Sequence, residues 1–327
     1  MKNILFLSII AMIACGCSFR NGAEKCSECS ETVELNGSRV PVEDSLMMGG
    51  FIVRCLDDNS AVIRYFGRPF ILGYLSLSDC SVKPLVYSGR GPGEMLDACE
   101  ISYTGLSDSG HRIVGLSDIN MKKHFVIDVD AYVQMEKTIP SNTWSVFRRK
   151  GGFLYKVSTD EDGLSYIEES GDGSMQTLAS LYPQDAFNKY YNYLQSVDSM
   201  RPDGDKVAMC MLNMDKVYLL DLTNGSKTSI VTDPGWRHRD DLLEAERQSG
   251  GGSEDHYMNA CCDADNIYAL HYPGNELRVF DWKGNYVRCI HLDHSLVSIS
   301  VSPSRQLYGT DMEEGLFRYD LNNVLTK

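Results

Sequence analysis

The densest group of side chains that could recognise a ligand lies in and just after one long insertion of the chain. Its members are aromatic or cationic, and they are Trp236, Arg237, His238, Arg239, His256 and Tyr257. An indole, two guanidiniums and two imidazoles can stack on a sugar or clamp a carboxylate. The alternative is a surface loop that packs Trp236 against the rest of the protein and leaves its charges in water. We predict a binding site here and keep that alternative open.

A second group surrounds the phrase Gly89-Arg90-Gly91-Pro92-Gly93-Glu94. Three glycines and one proline in six residues predict a tight loop with little side-chain bulk. Arg90 and Glu94 flank this loop and could pair with each other or with neighbouring strands. We favour a structural clasp over a ligand site, and we include both residues among the candidate binding residues.

A recurring phrase predicts the scaffold that must position these residues. A short apolar run that ends in Asp and is followed by a polar turn occurs four times, and weaker copies occur twice. The copies are residues 125–128, 218–221, 278–281 and 317–320, with the weaker ones at 73–75 and 165–168. Repeats of roughly 40–50 residues built from short strands are typical of β-propellers. We therefore predict an all-β, six-bladed β-propeller over residues 32–327, with four antiparallel strands (A to D) in each blade.

The last repeat has only three strand-like runs, at residues 296–301, 307–310 and 316–321. A ring cannot close while one blade lacks its outer strand, because an unpaired edge remains. Residues 32–42 form a spare strand-like run, so we predict that this N-terminal segment completes the last blade. The Asp residues that end the C strands are expected to accept hydrogen bonds from turn amides.

Three connections are longer than turns, at residues 88–97, 182–193 and 233–255. Each joins strand D of one blade to strand A of the next. Because strands alternate in direction, all three should emerge on one face of the disc. Loops on a rigid scaffold often carry function, so we predict that the functional surface lies on this face.

The N-terminus predicts export. Lys2 precedes an apolar run at residues 4–14 that is too short to span a bilayer, and Cys15-Gly16-Cys17 follows. This arrangement resembles a bacterial lipobox, in which Cys17, with Cys15 as second choice, becomes lipidated; an ordinary cleaved signal is the alternative. We predict a signal peptide at 1–17, a flexible tether at 18–31, and a lipid-anchored location in the cell envelope. Ser18 favours the outer membrane by the enterobacterial rule, while periplasmic or external orientation stays open.

Composition excludes several classes of partner. The formal net charge is −14 and no basic cluster is present, which argues against nucleic acid and against binding an anionic membrane by charge. Membrane contact is therefore expected through the lipid alone, and we expect a monomer. Of the 11 cysteines, Cys55, Cys99, Cys210 and Cys289 fall in strand-like runs and are expected to be small buried hydrophobes.

Together, the lipobox, the six repeats and the phrase from Gly89 to Met95 resemble a known family. It is the TolB-like six-bladed β-propeller lipoproteins of Bacteroides-type bacteria, and the resemblance covers about residues 32–324. The resemblance implies the fold and an envelope location. It implies no reaction and brings no catalytic residues.

Enzyme motifs are fragmentary in this sequence. Residues 158–163 lack the spacing and the Trp of a sialidase-type Asp box, and the acidic turns at 160–163 and 263–266 are only fragments of a calcium loop. We therefore predict a binding module for an envelope protein or glycan, with no catalytic residue, metal or cofactor. The alternative is a hydrolase or lyase that acts on carbohydrate at the channel mouth, and Glu100, His256 and Asp198 are its only candidate groups.

Overall fold

Six β-sheets arranged in a ring, each built around antiparallel strands, make up the computed structural model of this chain, which describes residues 20–26, 31–96, 100–159, 163–182, 194–232 and 256–325. Before the first blade, an N-terminal arm contains β1 (Arg20–Cys26), β2 (Thr32–Leu35) and β3 (Ser38–Arg39). Helix α1 (Asp44–Met47) connects this arm to the first blade.

The blades follow one another in chain order. Blade 1 contains β4 (Gly50–Cys55), β5 (Ser60–Tyr65), β6 (Phe70–Ser76), β7 (Val82–Ser88) and the short β8 (Glu94–Met95). Blade 2 contains β9 (Glu100–Leu106), β10 (Arg112–Asp118), β11 (Lys123–Asp128) and β12 (Val133–Thr138). Blade 3 contains β13 (Thr143–Arg149), β14 (Gly152–Thr159), β15 (Gly163–Ser170) and β16 (Met175–Tyr182).

The second half of the ring repeats this plan. Blade 4 contains β17 (Ser196–Met200), β18 (Lys206–Met211), β19 (Val217–Asp221) and β20 (Ser226–Val231). Blade 5 contains β21 (Tyr257–Cys262), β22 (Asn266–His271), β23 (Glu276–Asp281) and β24 (Tyr286–Leu292). Blade 6 contains β25 (Leu296–Val301), β26 (Gln306–Asp311) and β27 (Leu316–Asp320), and helix α2 (Asn322–Leu325) follows. The six-bladed prediction is confirmed.

The recurring sequence phrase is strand C of each blade, and the predicted role of its Asp is confirmed. Asp128 accepts hydrogen bonds from the backbone N–H groups of Asp130 at 3.0 Å and Ala131 at 2.8 Å. Asp221 accepts from the Thr223 N–H at 3.0 Å. Asp281 and Asp320 make equivalent bonds to their own turns. These carboxylates therefore fix the turns after strand C.

The hydrophobic core lies between blades. Among the described residues, each buried apolar cluster combines side chains from two neighbouring blades. Leu72 of blade 1 and Phe125 of blade 2 are both fully buried in one such cluster. Full burial of a side chain of this size stabilises the fold by roughly 1.5–3 kcal/mol. Each blade therefore depends on its neighbours, and a closed ring is needed to bury every face.

The N-terminal arm closes the ring. Strand β3 pairs antiparallel with β27, with Ser38 opposite Arg318 and Arg39 opposite Phe317, so the N-terminal segment completes the last blade as predicted, but through Ser38–Arg39 alone. Strand β2 instead pairs parallel with β24 and adds a fifth strand to blade 5. Strand β1 pairs parallel with β20 and adds a fifth strand to blade 4.

The prediction of a flexible tether over residues 18–31 is wrong for Arg20–Cys26, which form strand β1. The physical reason is that the outer edge of β20 offers unpaired backbone groups, and a parallel strand satisfies them. Residues 18–19 and 27–30 lie outside the described residues, as do the candidate lipidation sites Cys15 and Cys17.

Strand alternation defines two faces of the disc. We call the face with the D-to-A connections and B-to-C turns the link face, and the face with the A-to-B and C-to-D turns the turn face. All three long connections join strand D to strand A of the next blade and therefore belong to the link face. Residues 183–193 and 233–255 of these connections lie outside the described residues.

Cys55, Cys210 and Cys289 are buried as predicted, while Cys99 lies outside the described residues. In the described part of the chain, no helix is long and apolar enough to cross a membrane.

Candidate binding face

One carboxylate organises the junction between blades 4 and 5 on the link face. Asp215 lies in the B-to-C turn of blade 4 and is almost fully buried. It accepts hydrogen bonds from Arg278 Nη1 at 2.8 Å, the Thr232 hydroxyl at 2.6 Å and the Tyr257 hydroxyl at 3.1 Å. The Thr232 backbone N–H also donates to it at 3.1 Å. We call these four residues the Asp215 cluster.

The Asp215 cluster fixes both ends of the longest connection. Thr232 directly precedes residues 233–255, and Tyr257 begins the next strand one residue after His256. A backbone hydrogen bond holds the second stem as well, because the His256 N–H donates to the Leu212 carbonyl of blade 4 at 2.7 Å. The two stems are therefore held against blade 4 by a buried, charge-assisted network.

Two histidines flank this cluster. The His256 and His271 rings are 5.7 Å apart, and His271 Nδ1 lies 3.9 Å from Glu276 Oε1. Burial, together with the nearby Arg278 charge, lowers the pKa of His271 to about 4. His271 is therefore neutral at neutral pH. Burial also raises the pKa of the Tyr257 phenol well above its usual value, and Asp215 adds to that rise.

Arg90 and Glu94 lie on the same face but at a different junction. The Glu94 carboxylate accepts a hydrogen bond from the Gly91 N–H at 2.8 Å, and a side chain at Gly89 or Gly91 would collide with it. Met95 beside it is fully buried in the core between blades 1 and 2. These contacts are those of the predicted clasp. Arg90 is exposed.

The predicted site residues are not brought together as one site. Arg90 and Glu94 belong to the junction of blades 1 and 2, whereas His256 and Tyr257 belong to the junction of blades 4 and 5. In a six-bladed ring these junctions are three blades apart and face each other across the axis. Trp236, Arg237, His238 and Arg239 lie outside the described residues.

A polar cavity of about 140 Å³ occupies the ring axis. Inner strands of five blades contribute to its wall, which includes Arg54, Glu100, Trp144, Asp198 and Asn259. Pockets for drug-sized ligands usually measure roughly 300–1,000 Å³. This cavity is smaller than that range.

The two carboxylates of the cavity wall have different surroundings. Asp198 is 1% exposed and forms a 3.0 Å ion pair with Lys156, while the Ser196 hydroxyl donates to it at 2.6 Å. The Glu100 side chain contacts the water of the narrow channel. Protein atoms nevertheless surround the carboxylate on most sides and reduce its solvation. This desolvation raises the pKa of Glu100, and the charges of Arg64 and Arg54 only partly oppose the rise.

Glu100 and Asp198 do not form an acid–base pair with His256. The cavity wall contains Glu100 and Asp198, whereas His256 is buried at the blade 4–5 junction and is not part of that wall. Asp198 is occupied by its own lysine and serine. The three groups named for the enzyme alternative therefore do not converge.

Sequence reasoning missed Asp215, Thr232 and Arg278. The sequence pattern indicates only that Arg278 belongs to a strand of the recurring phrase and that Asp215 lies in a polar turn. One usable signal is the position of Thr232 and Tyr257 at the two ends of a long insertion, because such stems need partners.

The fold and the junction define the chain as a six-bladed β-propeller with an elaborated link face. Among solved structures, it is similar to a candidate exported protein from Bacteroides fragilis, with 12% identity and a TM-score of 0.55 over 88% of this chain and 99% of that one.

A candidate gluconolactonase matches with 10% identity and a TM-score of 0.52, over 88% of this chain and 92% of that one. The β-propeller domain of Cps50 (Swd1) from Myceliophteria thermophila matches with 11% identity and a TM-score of 0.51, over 87% and 99% of the two chains. At these identities the likeness shows the fold alone. Neither a protein-family model nor a curated protein matches the sequence.

Proposed function

We propose that this chain is an exported, lipid-anchored propeller that binds a protein or glycan partner of the cell envelope through its link face. The observation that carries the proposal is the Asp215 cluster, which holds both stems of the 233–255 connection in a buried network. A fixed base lowers the ordering cost of a recognition loop, because the stems are already in place before binding.

The binding residues in this proposal are Trp236 and its cationic neighbours, while the buried His256 and Tyr257 support the loop at its stem. Trp and Arg dominate the energetics of many interfaces, where truncation of a central residue often costs about 2 kcal/mol or more. Arg90 and Glu94 lie across the ring, so they belong to the same interface only if the partner spans the axis.

Binding is favoured over carbohydrate hydrolysis by the contacts of the candidate acids. A glycosidase needs two carboxylates that flank the scissile bond, one of them protonated and the other free. Asp198 is ion-paired with Lys156 inside the wall, and Glu100 stands without a second free carboxylate among the described cavity residues.

The test of the binding face is a quantitative pull-down from membrane extract, run beside a glycan-binding screen. The double variant Trp236→Ala, Arg237→Ala should weaken any partner at least about tenfold, which corresponds to about 1.4 kcal/mol. Its melting temperature should stay near that of the wild type. The matched control is Lys283→Ala, Asn285→Ala on the turn face. Loss of binding in the control, with normal binding in the link-face variant, would show that we have chosen the wrong face.

Export and anchoring are tested separately. The lipobox resemblance and the family resemblance support lipidation at Cys17, with outer-membrane sorting favoured by Ser18. Changing Cys15 and Cys17 together to Ser should release the protein from the membrane fraction. Retention of that variant on membranes would contradict lipid anchoring.

A further inference from the structure

The pairing of strand β1 fixes which side of the disc receives the anchor. Strand β1 is parallel to β20, with Arg20 opposite Ser226 and Cys26 opposite Val231. Ser226 is the first residue of strand D in blade 4, directly after the C-to-D turn. The start of β1 therefore lies beside a turn that belongs to the turn face.

A second strand of the arm runs the same way. Strand β2 is parallel to β24, with Thr32 opposite Cys289 and Leu35 opposite Leu292, so it also runs toward the end of a D strand. In addition, the Lys25 ammonium donates a hydrogen bond to the carbonyl of Lys283, which lies in the C-to-D turn of blade 5. The arm is thus fastened to the rims of two blades.

The length of chain before β1 limits where the anchor can lie. Three residue steps separate Cys17 from Arg20, and three residues span at most roughly 10–11 Å when fully extended. An inner strand of six residues, such as β21, spans roughly 20 Å between the two faces. A lipid on Cys17 therefore reaches the membrane beside the turn face and is too short to pass around to the link face.

We infer that the propeller is tethered with its turn face toward the bilayer and its link face toward the aqueous compartment. This inference rests on the proposed lipidation of Cys17 and deepens the proposed function. It identifies the partner as a macromolecule that arrives from the aqueous side, as opposed to the lipids of the anchoring membrane. The N-terminal arm acts as an orienting strap as well as the closing element of the ring.

Paired fluorescent probes on the lipidated full-length chain test this orientation. In blade 6, Ser304 lies on the turn face and Met312 on the link face. In blade 2, Ser109 lies on the turn face and Asn120 on the link face. All four residues are exposed. Each is changed singly to Cys and labelled with a donor dye. The parent chain without an added cysteine reports labelling of the native thiols. The protein is then reconstituted in phosphatidylcholine vesicles that carry an acceptor-labelled lipid.

Energy transfer should be at least about twofold higher at Ser304→Cys than at Met312→Cys, because roughly 20 Å of strand separates the two faces. In the blade 2 pair, energy transfer should likewise be higher at Ser109→Cys than at Asn120→Cys. A tilt of the disc changes the size of the difference in each pair but does not reverse which probe of a pair is nearer the membrane. Equal transfer, or higher transfer at the link-face probes in both pairs, would overturn the inference.

A strap variant checks that β1 is the cause. Glu24→Pro, Lys25→Pro removes two consecutive backbone N–H groups, so at least one ladder bond to β20 is lost. The protein should remain on the vesicles while the difference between the faces collapses; a difference that persists would refute the role of the strap. If the unmodified chain fails to associate with vesicles and behaves like Cys17→Ser, then the proposed anchoring has failed, and that result is distinct from a wrong orientation.

Discussion

Replacing Asp215 with alanine removes the acceptor shared by Arg278, Thr232 and Tyr257. The Arg278 side chain is 15% exposed and that of Asp215 is 2% exposed, so the guanidinium that remains is largely buried. A buried charge without its partner is destabilising because water cannot replace the lost contact. We therefore expect the variant to lose stability at the blade 4–5 junction.

The expected size follows from the contacts that remain. Removing one partner of a buried ion pair typically costs roughly 3–5 kcal/mol. Arg278 keeps Glu276, whose Oε1 lies 2.6 Å from Nε, so we expect the lower end, about 3 kcal/mol. For a domain of roughly 300 residues, an unfolding entropy of about 2.1 cal/mol/K per residue converts this loss into a fall in Tm of roughly 5 °C.

Thermal unfolding followed by circular dichroism measures this effect in three variants: Asp215→Ala, Arg278→Met and the double variant. Because the stranded charge causes most of the loss, the double variant should be more stable than Asp215→Ala alone. Asp281→Ala, in which a turn carboxylate of blade 5 is lost, is the matched control and should cost less. The reasoning fails if Asp215→Ala melts within about 1 °C of the wild type, or if the two single losses simply add.

Three further predictions concern closure and pH. Gly37→Ala should destabilise the fold by roughly 1–3 kcal/mol in urea unfolding, because a new Cβ would lie 2.6 Å from the Tyr319 ring. Gly105→Ala is the control and should be nearly neutral, because nothing lies within 4 Å of its new Cβ. Burial raises the pKa of Glu100, so the ionised carboxylate destabilises the folded state at any pH above the unfolded pKa. Glu100→Gln removes this charge and should raise Tm at pH 7. The gain in Tm should vanish as the pH falls below about 4, where the wild-type carboxyl is protonated in both states. A hydrogen bond from a turn backbone N–H and, to a lesser extent, one from a nearby His lower the pKa of Asp128. Its contribution to folding stability is therefore present above the unfolded pKa and is lost on acidification. The stability of Asp128→Asn should depend less on pH between about 4 and 2 than that of the wild type.

The blades could be predicted from the sequence because their signals are local. Strand C ends in an Asp that binds the N–H groups two or more residues later, so one short phrase contains both the strand and its turn. Strand β1 carries no such signal, since Arg20–Cys26 reads RNGAEKC and is mostly polar and small. Its strand conformation comes from the open edge of β20, which is tertiary context acting over local preference.

The Asp215 cluster was beyond sequence reasoning for a related reason. Thr232, Tyr257 and Arg278 lie 17, 42 and 63 residues from Asp215 along the chain. No spacing rule within one blade connects residues of two different blades. The prediction that function belongs to the link face needed only strand parity, whereas the residues that hold its longest connection needed the folded ring.

The N-terminal arm also sets the order in which the molecule can fold. Ser38 contacts Arg318 across a sequence separation of 280 residues, so the first strands of the propeller find their partners among the last ones. Contacts between distant residues form late, because the entropy of closing a long loop must be overcome first. Until β3 pairs with β27, blade 6 keeps an open edge to which another chain could add. Pairing of the arm is therefore the step of folding that removes this edge and, with it, the greatest risk of aggregation.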